Sequence, residues 1–549
     1  MRPEGIRVRR WERRGGASPV PRRLYDSSGK DGKVSSGAGG LLPVSTQRRS
    51  QAEPMRTRDV LSEATEGGII IVDISDVITW ANLYTASEWI IRFVMLIVVP
   101  FRRSPDAAKG WLLALFLLPW PALIVYWFIG RPTMPAWRAA RFARIPEIFG
   151  PLRRRLFELP HMATAELGPD LQQAATLVSN LGMLRPLGGN EMELLPDYQQ
   201  SILQLASDID RAQHHVHLLY YIFADDETGS IVIDALARAV HRGVACRVMV
   251  DALGTRRWLK SLDRKLAAAG VEMIHALPVH WLRRHAARAD LRNHRKIAVI
   301  DGRVGFTGSQ NLTDARFKPG ITYQELVVRV TGPIVLELQG VFVADWFLET
   351  EQVLDSAEIF PPPSAAGDII AQLLPSGPDF PTTNVQRLLV AMIYGARERI
   401  FITTPYFIPD DAFVQALETA ALRGVQVRLM VSTIADQILV SQAQRSYYTE
   451  LLEKGVHIHL FKGYFLHAKH VSVDGVMALI GSSNMDIRSF VLDAEVSLAI
   501  YDSDVVAQLR VEQEHTIANS DPLLLEQWVQ RSLWKKIAEN MARLVSPLL

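Results

Sequence analysis

The chain has 549 residues, 48% of them apolar, a formal net charge of only +2 and a single cysteine. That length exceeds one compact core, so two or more domains are expected. The balanced charge excludes a bulk polyelectrolyte character, and one thiol excludes an intrachain disulfide or a thiolate metal cluster. Mean hydropathy is slightly positive, which places a minority of the chain in lipid. Cys246 lies in the apolar run 246–250 and reads as a small buried hydrophobe.

Residues 1–54 carry many arginines separated by Gly, Ser and Pro. They lack both a continuous apolar segment and a helical period, so they read as a disordered basic extension able to touch anionic lipid. Met55 follows directly and is a second candidate start of translation. Residues 78–131 then read as a membrane helical hairpin. Its second arm, 110–129, is twenty residues without a charge, enough to cross a bilayer as a helix. Pro119 and Pro121 predict a kink in it, and Trp111, Trp120, Tyr126 and Trp127 include interface anchors. The first arm, 80–101, is interrupted by Glu88 and Arg92, which share a helix face and can neutralise each other. A basic turn at 101–105 joins the arms. Arg131, Arg138, Arg141 and Arg144 slightly outweigh Arg102, Arg103 and Lys109, which favours a cytoplasmic catalytic region. Residues 132–194 read as a linker.

From 195 the texture is that of an alternating α/β protein, and the chain repeats itself. Arg242-Gly243-Val244 before the apolar run 246–250 returns as Arg423-Gly424-Val425 before 427–431. A helical pattern (231–241 and 411–422) and, before it, an apolar strand (216–223 and 400–407) precede each copy. Strand, helix, Gly turn and strand make a βαβ unit with parallel pairing and a right-handed crossover. Two similar α/β domains are therefore expected, 195–357 and 364–549, related by a pseudo-twofold axis. Stretches 360–363 and 375–381 read as connector and loop.

Each unit is followed by the same constellation. The first copy is His294-Arg295-Lys296, then Asp301, then Gly308-Ser309-Gln310-Asn311; the second is His467-Ala468-Lys469, then Asp474, then Gly481-Ser482-Ser483-Asn484. Every spacing agrees. His and Lys two apart on a strand point the same way and can face one pocket. A Gly-Ser turn brings hydroxyls and backbone N–H groups toward a phosphate. Metal binding fits poorly, because a lysine two residues from each histidine repels a cation. Asp301 and Asp474 precede Gly302 and Gly475, so turn formation is one reading of them.

These motifs resemble the paired HKD motifs of the phospholipase D superfamily. With a membrane hairpin before them, the arrangement resembles the bacterial cardiolipin synthase family. Further likeness lies in 87–130 with its Arg-Arg-Ser-Pro turn, in Thr404-Pro405-Tyr406-Phe407-Ile408-Pro409, and in GSSNMDIRSF at 481–490. The likeness covers about residues 84–501. The family usually shows Leu-Asn-X-Glu where this chain has Leu492-Asp493-Ala494-Glu495, which singles out Asp493.

The resemblance implies two phospholipase D-like domains behind a transmembrane hairpin, in a multi-pass protein of the bacterial inner membrane. It implies transfer of a phosphatidyl group between two phosphatidylglycerol molecules, giving cardiolipin and glycerol through a phosphatidyl-histidine. No metal or other cofactor is implied. His294, Lys296, Asp301, His467, Lys469 and Asp474 would be catalytic, with His294 attacking phosphorus and His467 as acid and base. Lys296, Lys469, Ser309, Asn311, Ser482 and Asn484 would hold the phosphate oxygens. Glu325 and Glu495, at similar distances past their histidines, would orient the rings; the alternative for either is a solvated strand residue. Phosphatidylglycerol, other anionic phospholipids and the membrane are the expected partners. A phospholipase D with water as acceptor is the alternative enzyme. The basic segment 281–296, with Arg283, Arg284, Arg288, Arg292 and Arg295, would touch anionic head groups, or nucleic acid in a nuclease. A non-catalytic lipid-binding scaffold would require a degenerate motif, and both motifs are complete.

Overall fold

The structure is a computed structural model that describes residues 79–544 apart from 104, 131–133, 163, 280–287 and 289. The expectations for residues 1–54, Arg131, Arg283 and Arg284 lie outside the described residues.

The hairpin differs from expectation in which arm is continuous. Helix Trp80–Arg102 runs unbroken for 23 residues and is long and apolar enough to span a membrane. Glu88 and Arg92 pair along it at 3.4 Å, as their spacing predicts. The second arm is instead two shorter helices, Pro105–Leu117 and Pro119–Ile129. Pro119 lacks an N–H and crowds the preceding residue, and Leu118 leaves the helical region at φ −135°, ψ 73°. Both pieces pack against Trp80–Arg102. Trp111 meets Tyr126 edge-on at 5.1 Å between the two pieces.

The stretch expected as a linker is structured. It holds helices Ala136–Phe157 and Pro169–Gly182, and strand Leu187–Leu195. Arg138 is buried between Glu349 and Asp379, its Nη2 lying 3.2 Å from the Asp379 carboxylate. Arg141 and Arg144 both reach Glu351, at 2.7 and 3.2 Å. These arginines thus clamp Ala136–Phe157 to helix Ile334–Thr350, rather than standing as free charges beside a membrane.

Two βαβ units form as the repeat predicts. Asp226 caps helix Glu227–His241 by accepting from Gly229 N at 2.8 Å, and Asp410 caps Asp411–Leu422 through Phe413 N at 3.0 Å. Gly243 and Gly424, at φ 88° and 86°, turn the chain out of these helices into the next strand. Strand His215–Tyr220 pairs in parallel with Ala245–Asp251, and Arg399–Thr403 with Gln426–Ser432.

The strand order makes the internal symmetry explicit. Outward from the seam, the first half runs Leu187–Leu195, Val327–Thr331, Val304–Gly308, Ile297–Ile300, His215–Tyr220, Ala245–Asp251, Glu272–Ala276. The second runs Ile369–Ser376, Asp493–Ile500, Met477–Gly481, His470–Val473, Arg399–Thr403, Gln426–Ser432, His457–Phe461, with Ser520–Pro522 at the edge. Apart from Ser520–Pro522, each of these strands has its counterpart. Leu187–Leu195 and Ile369–Ser376 pair antiparallel at the seam, so one sheet passes through both halves. Helix Ile334–Thr350 is buried on nearly every side, packing against that sheet and against Ala136–Phe157.

Candidate active site

Each motif begins where a strand crosses to the opposite half. Arg292–Asn293 pairs in parallel with the start of Asp493–Ile500, and Phe465–Leu466 pairs with Tyr323–Gln324. His294 N donates to Ala494 O at 2.9 Å, and His467 N donates to Gln324 O at 2.8 Å. In each case the next residue of the partner strand is a glutamate, so the buttressing is exchanged. His294 Nδ1 lies 2.9 Å from Glu495 Oε1, and His467 Nδ1 lies 2.6 Å from Glu325 Oε1. A carboxylate acceptor at Nδ1 places the proton there, leaving the Nε2 lone pair for chemistry. Both glutamates are buried, which excludes the solvated-strand reading.

Both imidazoles line one cleft of about 380 Å³, together with Asn311, Asn484 and Glu325. Tyr221 sits edge-on to the His294 ring at 4.9 Å, and Tyr323 to the His467 ring at 5.3 Å. Asp436 accepts from Tyr406 Oη at 2.8 Å and binds Lys318 at 2.6 Å, tying the halves across the cleft wall. Of these wall residues, Tyr406 and Tyr221 lie in stretches that the sequence marked. Tyr221 lies in the repeat's strand 216–223 without being singled out, while Lys318, Tyr323 and Asp436 belong to no repeat or motif, and only their meeting in space identifies them.

Other expected site residues lie elsewhere. Asp301 and Asp474 sit at the far end of their strands, at φ 53° and 52° before a glycine. Asp301 accepts from the N–H groups of Gln213, His214 and His215 at 2.8, 2.8 and 2.9 Å. Asp474 does the same for Arg397, Glu398 and Arg399 at 2.7, 2.8 and 2.9 Å. Neither lines the cleft: with every oxygen spent on a loop, they hold the turn rather than substrate. Ser309 and Ser482 are also buried outside the cleft. Ser309 Oγ receives Leu326 N at 2.9 Å, Ser482 Oγ receives Val496 N at 3.0 Å, and Ser482 donates to Glu495. They brace the strand that carries each glutamate. Lys296 and Lys469 lie just beneath the histidines, each donating from Nζ to the carbonyl of the histidine two residues before.

The described arginines of the basic segment are held internally. Arg292 pairs with Asp251 at 3.1 Å and Arg295 with Asp345, all four side chains buried, while Arg288 is bound to Asp290. Arg292 and Arg295 therefore stiffen the loop that delivers His294, Arg292 at the cleft wall.

Burial dominates the electrostatics. It pushes Lys296 down to about 7 and Lys469 to about 8. Burial, then Lys296 and Lys469, hold His294 well below the usual imidazole range. His467 is also lowered by burial, but Glu325 opposes the shift. Burial works against ionisation of Glu325, yet His467 and Lys469 overcome it and its carboxyl stays below the usual range. Glu495 is pushed up to about 7 by burial. Asp493, at the family's usual asparagine position, lines the cleft with Oδ2 3.3 Å from Arg488 Nε and Oδ1 buried without a hydrogen-bond partner. Burial pushes it up to about 8.

The family model described as "Cardiolipin synthase, PLD-like domain" matches residues 205–346 and 389–517, one stretch in each half. Cardiolipin synthase A of Yersinia pseudotuberculosis is 34% identical over 486 residues, covering 86% of this chain and 99% of that protein. Cardiolipin synthase A of Yersinia pestis matches to the same extent, 34% over 486 residues. In fold alone, the crystal structure of phosphatidylserine synthase from Haemophilus influenzae Rd KW20 superposes with a TM-score of 0.51 at 14% identity, covering 69% of this chain and 98% of that one. The chain belongs to the cardiolipin synthase family of the phospholipase D superfamily.

Proposed function

We propose that this protein is a cardiolipin synthase that moves a phosphatidyl group from one phosphatidylglycerol to the hydroxyl of another. One observation carries the reading: two imidazoles from separate halves line a single cleft, each with Nδ1 on a carboxylate of the opposite half. In the first step His294 Nε2 attacks phosphorus and the bond to the head-group oxygen breaks. His467, whose proton the ionised Glu325 helps to hold against burial, gives that proton to the departing glycerol. In the second step a hydroxyl of another phosphatidylglycerol loses its proton to His467 and attacks phosphorus. The P–N bond then breaks, freeing His294 and cardiolipin. His294 is the better nucleophile because its neighbours keep it unprotonated. Asn311 and Asn484 face the phosphate in the cleft wall, and an arriving anion would draw Lys296 and Lys469 back toward their charged forms.

The helix Trp80–Arg102 supports attachment to the membrane. A multi-pass arrangement in the inner membrane with the catalytic halves facing the cytoplasm is the topology we infer; protease protection of the catalytic region in sealed right-side-out vesicles tests it. The chemical reading is tested with the full chain and phosphatidylglycerol as sole lipid. Cardiolipin and free glycerol should form in equal amounts. Phosphatidic acid as the main product would replace the synthase with a hydrolase.

A further inference from the structure

Helix Leu533–Leu544 is built inside out. At 3.6 residues per turn, Leu533, Leu544, Ile537, Met541 and Trp534 fall within a single stripe about 100° wide. In an ordinary surface helix that stripe faces the core. Here every member is exposed, Trp534 at 79% and Met541 at 59%. The helix packs instead through its polar side. Glu539 is buried against Arg531 at 2.9 Å, and Arg543 lies over the Tyr447 ring at 4.1 Å while reaching Glu450.

The element it packs along is helix Ile438–Ser446. That helix begins at the mouth of the catalytic cleft, where Asp436, Gln437 and Val440 form part of the wall. Its first residues, Ile438 and Leu439, are also exposed, Ile438 at 79%. Two neighbouring helices thus expose large apolar side chains, and one of them begins at the wall of the catalytic cleft. Scattered exposed apolar residues are ordinary, but an aligned stripe on a helix is not.

We propose that Leu533–Leu544, together with Ile438 and Leu439, is an interfacial docking surface that lies in the head-group layer of a phospholipid bilayer and presents the cleft mouth to it. Three features favour a bilayer over a second copy of the chain. Trp534 lies at one edge of the stripe with Lys535 exposed next to it, the amphipathic border that suits a lipid–water interface with anionic head groups. The helix that this stripe packs along starts at the cleft wall. The chain also carries a helix of membrane length, so lipid is within reach.

The test reads depth rather than turnover, so it stands or falls independently of the proposed chemistry. Cys246 is buried and is the chain's one cysteine, so a thiol introduced at the surface can be labelled selectively. The full-length Met541→Cys and Lys535→Cys variants are labelled with an environment-sensitive fluorophore and reconstituted in phosphatidylcholine–phosphatidylglycerol vesicles. The label at 541 should be quenched by nitroxide-bearing acyl chains and shielded from aqueous iodide, and the label at 535 should behave oppositely. Equal iodide access at both sites overturns the proposal. So does shielding at 541 that ignores the lipid nitroxide and grows with protein density, which would indicate self-association. A second arm uses the Trp534→Glu, Ile537→Glu, Met541→Glu triple variant. Turnover on vesicles should fall by about tenfold or more while turnover on short-chain substrate dispersed in detergent is kept. Equal loss on both substrates would mark a purely structural role and overturn the proposal.

Discussion

In the first half of the molecule the imidazole of His294 rests on a carboxyl, Glu495, that burial has pushed up to about 7. In the second half His467 rests on Glu325, which stays ionised below the usual carboxylate range. The backbones are equivalent strand for strand, so the difference comes from side chains around the glutamates. Against the burial of Glu325 stand His467, by charge and hydrogen bond, and Lys469, and together they overcome it; against the burial of Glu495 stand Lys296, the Ser482 and Ser489 hydroxyls and Lys469, and burial prevails. Equal geometry with unequal charge is what a two-step transfer needs. One imidazole must be free of a proton to attack, and the other must hold a proton to give away.

The sharpest way to break this comparison is to remove each histidine. His294→Ala and His467→Ala should each lower turnover by about 10⁴-fold or more, but for different reasons. Intact-mass analysis after brief exposure to phosphatidylglycerol should find a phosphatidyl adduct on the His467→Ala protein and none on His294→Ala. An adduct on the latter would exchange the two roles. Next in size are the glutamates. Glu325→Gln removes the ionised partner and should cost about 10²- to 10⁴-fold in kcat, whereas Glu495→Gln, losing a carboxyl already near neutrality, should cost about tenfold. Equal losses would mean that the two halves are electrostatically alike.

A smaller effect separates framework from chemistry. Asp301→Ala and Asp474→Ala each orphan three backbone N–H groups and should destabilise the fold by about 1–3 kcal/mol, seen in thermal unfolding. The folded fraction should keep its kcat. A large kcat loss at full stability would return these aspartates to the chemistry.

The smallest effect concerns Asp493. Its carboxyl is neutral below about 8 and becomes a second negative charge in an anion-binding cleft above it. Turnover of the wild type should therefore decline as pH rises through about 8, where Lys469 also loses its charge, and Asp493→Asn should decline less steeply while differing by about threefold or less at pH 7. The linkage has the same sign. A carboxyl raised in the fold binds its proton more tightly there than in the unfolded chain, so stability is lost as pH rises from the unfolded value toward 8. The asparagine variant should accordingly melt higher than wild type at neutral pH.

Much of this molecule is written locally. Strand, helix and glycine turn recur in order because side-chain period, Asp caps and positive-φ glycines act over a few residues, and the two histidine motifs follow them in register. The seam strand Leu187–Leu195 and the clamp of Arg138 were hidden in a stretch that reads as a linker, since their partners lie beyond residue 327. The break at Leu118 turned on how far Pro119 disrupts a helix that apolar composition alone would continue.

What the sequence by itself determined is the pair of βαβ units, the two motifs and their turns, all consequences of short-range periodicity and backbone preference. Only the tertiary structure decided which glutamate serves which histidine, because that pairing joins residues 201 and 142 positions apart through strands lent across the halves. It also decided the protonation of the site. Desolvation is a property of everything packed around a group, and no spacing along the chain encodes it.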